Sequence, residues 1–81
     1  MTSQHREIDR LRRTCSAQLA QFIKEASQTE RDVRRLRLPV GAEAALQLSS
    51  QRGVEFDACY EYLIASRQLA EFLQQQAQSI Q

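Results

Sequence analysis

Apolar or small residues recur along the first half of the chain at Ile8, Leu11, Cys15, Leu19, Phe22, Ala26, Val33 and Leu36. Steps of three and four are the period of a helix, so the spacing predicts one long helix over residues 3–37. Only Thr29 and Glu30 interrupt the stripe. The opposite side carries Arg6, Arg10, Arg13, Lys24, Glu25 and further arginines. Thr2 or Ser3 can serve as the N-cap. Pro39 cannot continue the hydrogen-bond ladder and forces the residue before it into extended geometry. With Gly41 it predicts a turn over residues 38–42, and a connection that short favours antiparallel helices.

The second arm holds two helical stretches, about 42–52 and about 56–79. Gly53 between them either ends a short helix or sits inside a continuous one at a cost of about 1 kcal/mol. Phe56, Cys59, Leu63, Ser66, Ala70, Leu73, Ala77 and Ile80 occupy the a and d positions of a heptad sustained for over three repeats. That series is the expected seam against the first helix. The fold class is therefore all-α: a single domain over residues 1–81, built as an antiparallel helical hairpin. It has a long helix, a Pro/Gly turn and a second arm interrupted or kinked near Gly53, and it can complete a bundle with a partner.

The second arm is more apolar than a two-helix hairpin requires. Tyr60, Tyr62, Ile64, Leu69 and Phe72 lie outside the expected seam. A helix apolar nearly all round is covered on more than one side. Three arrangements would cover it: the segment 42–52 folding back, a homo-oligomer, or a helical protein partner. Aromatic residues dominate interface hot spots, so Tyr60, Tyr62 and Phe72, with Ile64 and Leu69, form the expected partner interface.

Composition narrows the function classes. The 81 residues carry 11 basic and 10 acidic side chains, a net charge of +1. That balance gives no default attraction to nucleic acid or to an anionic membrane. Arg10, Arg12 and Arg13 form one basic cluster and Arg31, Arg34, Arg35 and Arg37 another; phosphate contacts need such clusters, and the second supports the alternative reading of a small nucleic-acid-associated regulator. Acidic residues interleave with them, and Glu30 stands in the favourable order before Arg34. No stretch is long and apolar enough for a membrane span, and the charged N-terminus has no secretory pattern. A cytoplasmic protein is the expectation, with Cys15 and Cys59 as thiols on apolar stripes.

Candidate chemistry is sparse. His5 is the only histidine, a metal site needs several converging ligands, and the two glycines are too far apart for a phosphate loop. The expectation is no metal, no cofactor and no catalytic site. Ile8-Asp9-Arg10-Leu11 and Ile64-Ala65-Ser66-Arg67 resemble two short patches of the helical chorismate mutases. That resemblance implies a cage of cationic and amide groups. The positions expected to supply it hold His5, Phe22 and Ala70 instead. In shape alone the chain is similar to the hairpin co-chaperones of bacterial type III secretion. The functional expectation is a small interaction module (an adaptor, co-chaperone or assembly subunit, with coiled-coil packing) that docks through the apolar face of its last helix.

Overall fold

A computed structural model of the chain describes the backbone of residues 3–80 and the side chains of residues 3–79. Thr2, the Ile80 side chain and Gln81 fall outside the described residues, and with them the capping role of Thr2 and the seam role of Ile80. Two helices account for almost all of it: α1, Ser3–Arg34, and α2, Ala42–Ile80. They pack antiparallel into a particle of 62 × 20 × 14 Å. The smallest of these dimensions is barely more than the diameter of a single helix with its side chains, about 10–12 Å.

The turn forms where Pro39 requires it, and α1 ends three residues before its expected limit. Its last turn tightens: the Arg35 amide donates to the carbonyls of Arg31 and Asp32, both at 3.2 Å, and the Leu36 amide to Val33 at 3.1 Å. Arg31 and Arg34 lie in that last turn, where cations oppose the negative end of the helix dipole. The Leu38–Pro39 bond is cis. The Gly41 carbonyl accepts the Ala45 amide at 3.0 Å and starts α2, with Glu43 in its first turn.

The second arm differs from its expected form in continuity. One helix runs from Ala42 to Ile80, straight through Gly53, so no separate helix over 42–52 folds back on the rest. An α-carbon substituent at Gly53 would meet nothing within 4 Å. Eleven helical residues before it and twenty-seven after it hold its backbone in register.

The seam also differs, by a rotation. Along α2 Ala44, Leu48, Gln51, Glu55, Ala58, Tyr62, Ala65, Leu69, Phe72 and Gln76 are half-buried or buried, a heptad series without a break, with half-buried Cys59, Ile64 and Ser66 on its flanks. Phe56 and Leu63, placed in the seam from sequence, are instead 72% and 57% exposed. The two series lie about 100° apart around the helix axis. In α1, Ile8, Leu11, Cys15, Phe22 and Ala26 are covered as expected, as is Leu36 just beyond it. Leu19 and Val33 are not. Gln18, Glu25, Gln28 and Asp32 are half-buried in their place, and Thr29 is buried.

The physical reason for this phase is visible in what the two helices offer one another. The turn-proximal half of α1 turns polar residues inward, and only the Gln51 and Glu55 side of α2 can answer them. The Gln51 amide donates across the seam to the Glu25 carbonyl at 3.1 Å and to its carboxylate at 3.0 Å. The Thr29 hydroxyl donates to that same carbonyl at 3.1 Å. Towards the open end the seam turns apolar, with Leu11 buried in α1 and Ala58 and Ala65 buried in α2. Two small residues on one stripe let the helix backbones approach closely. Among the described residues these three are the only buried apolar ones, and no side chain is fully enclosed.

Two stability outcomes follow. Gly53→Ala raises stability by about 1 kcal/mol, because it removes the helix-interior glycine penalty at an open position. Urea unfolding followed by circular dichroism reads this as a higher midpoint, and a lower midpoint would place a bend at residue 53. Gln51→Ala lowers stability by about 1–2 kcal/mol, since it deletes a bond to a charged acceptor and leaves Glu25 with less than it had. The same titration checks it.

Candidate partner interface

A hairpin one helix thick has two broad faces, and their chemistry is opposite. Antiparallel packing puts the flank that follows the seam in α1 beside the corresponding flank of α2. One face gathers polar groups. A hollow at the open end is lined by Glu7, Arg10, Gln68, Glu71 and Gln75, with Leu11 and Phe72 at its floor. A second hollow near the turn is lined by Asp32, Arg35, Gln47 and their neighbours. The Arg10 guanidinium donates to the Glu7 carboxylate, and that hydrogen bond holds the Glu7 carboxyl below the usual carboxylate range.

The other face is apolar along α2 and mixed along α1, where Asp9, Arg12 and Ser16 stand towards the open end. On α1 it carries Leu19 and Ile23, 37% and 55% exposed. On α2 it carries Phe56, Leu63 and Leu73, the last 46% exposed, with half-buried Cys59 and Ser66 beside them. From Ala42 to Ala77 this flank of α2 holds one charged residue, Arg52, which pairs with Glu55 at 3.0 Å. A shallow hollow between the helices on this side is lined by Phe22, Phe56 and Cys59, with Arg52 and Glu55 at its edge. Leu46 and Tyr60 extend the apolar surface around the outer side of α2, at 71% and 61% exposure.

The five residues expected to form the interface divide accordingly. Tyr60 is exposed and borders the apolar face. Tyr62, Leu69 and Phe72 belong to the seam against α1 and are half-buried there. Ile64 is half-buried on the polar side of α2. The residues that sequence reading missed as exposed are Phe56, Leu63 and Leu73, together with Leu19 and Ile23. Their signal was present as the uncharged heptad series, which was assigned to the wrong contact.

The basic cluster is largely engaged within its own helix. Arg31 donates to Gln28 at 2.8 Å, and Arg34 pairs with Glu30. Arg35 and Arg37 border the hollow that also contains Asp32. Ion pairs of this exposed kind contribute at most a few tenths of a kcal/mol to about 1 kcal/mol each. Arg34 is the member of the cluster whose charge is paired, with Glu30.

Cys15 and Cys59 are free thiols, both half-buried. Among the described residues no group of three or more His, Cys, Asp or Glu side chains is placed to hold a metal ion. Among them, too, no helix is long and apolar enough to cross a membrane. Ile64, Ala65, Ser66 and Arg67 lie on α2 with Ala65 buried against α1 and Arg67 bonded to Glu71 at 2.9 Å. No known protein family, characterised protein or solved structure matches the chain.

Proposed function

We propose that this chain is a helical protein-interaction module, an assembly subunit or adaptor whose apolar face is completed by another helical surface. The observation that supports it is the mismatch between exposed surface and mass. The hairpin exposes 6600 Å². A compact monomer of 9.3 kDa exposes about 5,000 Å². On one face Leu19, Ile23, Phe56, Leu63 and Leu73 stand exposed together. An apolar patch of that extent on a charged particle marks an interaction site. The contrast with the polar face gives the docking a direction. The cytoplasm is the proposed compartment, since two half-buried free thiols suit a reducing environment.

Charge reversal on each side of α2 separates this reading from a merely sticky protein. Tagged chain is used to capture binding proteins from its native extract, with nuclease and about 0.5 M salt in the wash to screen charge contacts. Leu63→Glu, on the apolar face, abolishes stoichiometric capture. Val54→Glu, at an exposed position 46% accessible on the opposite flank, leaves it unchanged. Equal loss with both substitutions, or with neither, contradicts the proposal. Loss with nuclease alone transfers the function to the basic cluster.

A further inference from the structure

We infer that the occupant of the apolar face is a second copy of this chain, stacked with its turn at the opposite end to form a four-helix bundle. The inference rests on the docking reading above and names the partner. Three observations carry it.

The first is angular. α2 presents two heptad series, one facing α1 and one facing solvent, separated by about 100° around the helix axis. A helix at the corner of a square four-helix bundle has its two neighbours about 90° apart, whereas a triangular bundle needs about 60°. The solvent-facing series is thus set for one more layer of two helices, which is what a second hairpin supplies.

The second is self-complementarity. When two copies of α2, Ala42–Ile80, lie antiparallel with their ends level, large residues of the exposed series fall opposite small ones of the copy. Phe56 meets Ser66, Leu63 meets Cys59, and Leu73 meets Ser49. Alternation of large and small across facing positions lets side chains interdigitate without voids. Sliding the copy by one heptad in one direction puts Leu63 against Arg52, and in the other puts Phe56 against Leu73. The level register is the one that fits. A twofold axis through the middle of α2 generates every such pair twice, as an isologous interface requires.

The third is area. A face of 62 × 20 Å stacked on its copy buries on the order of 2,000 Å² in all, the size at which obligate homodimers begin. On α2 the middle of that face holds Phe56 and Leu63, and on α1 it holds Leu19 and Ile23 with Arg12 and Glu30 to either side of them.

The test measures the mass of the purified chain by multi-angle light scattering and then its arrangement. The native chain runs at twice 9.3 kDa. Leu63→Glu weakens self-association by at least about 100-fold, since the twofold places the buried charge there twice. Val54→Glu leaves the dimer intact. A nitroxide at Glu43→Cys, in a Cys15→Ala, Cys59→Ala chain whose mass is first checked against that of the native chain, reports the arrangement. Opposed turns put the two labels about 50 Å apart or more, whereas turns at the same end put them within about 30 Å. A monomeric native chain, any other stoichiometry, or the short distance overturns the inference. A monomeric chain that still captures another protein in a Leu63-dependent way overturns the second copy alone and leaves the docking reading in place.

Discussion

Each helix of this protein has one helical neighbour, and the rest of the structure follows from that constraint. A residue in a two-helix layer can be covered on one side only. The seam therefore holds few enclosed side chains, and burial falls to Leu11, Ala58, Ala65 and Thr29. With so little apolar surface removed from water, the ordering entropy of some eighty residues is poorly offset. A second layer would supply what is missing, and the face open to it is the one that carries Leu19, Ile23, Phe56, Leu63 and Leu73.

The seam itself is divided by chemistry along its length. Near the turn, Glu25, Thr29 and Gln51 form a hydrogen-bonded set across the two helices. Towards the open end, Leu11, Ala65, Leu69 and Phe72 make apolar contact. The polar set contributes less to stability than an apolar layer would, but it fixes which face of α2 meets α1. Rotating α2 to bring Phe56 and Leu63 inward would leave the Glu25 carboxylate and the Gln51 amide without one another. Polar layers in coiled coils set register in the same way, at a cost in stability. The consequence for function is direct. Because Gln51 holds its own stripe against α1, the uncharged stripe beside it remains outside.

The hairpin was legible in the sequence because its signals are local. Pro39 and Gly41 break one helical pattern from the next, and the three-and-four spacing of each arm has no competing strand pattern. The choice of face was not legible. α2 carries two apolar series of comparable strength, and hydrophobicity alone favours the more aliphatic one. The decisive residues are polar. Thr29 was read as an interruption of the α1 stripe, yet it lies buried in the seam, and Glu25 was read as solvated, yet Gln51 reaches it. Gly53 was similarly ambiguous, since a glycine with open space around it is tolerated when long helical stretches flank it. The difference is a single rotation: the hydrophobic pattern places Tyr62, Leu69 and Phe72 outward and Phe56 and Leu63 inward. The structure exchanges them. Tyr60, on the border between the two, kept its place.

The central claim is that the fold is completed by self-association, so that folding and assembly are one equilibrium. Thermal unfolding followed by circular dichroism, across a roughly hundredfold range of chain concentration, tests this most directly. Unfolding of a dimer to two unfolded chains gives a midpoint that rises by several degrees as concentration increases, with a single transition throughout. A midpoint that does not move with concentration would show that the hairpin is stable by itself, and would contradict the account.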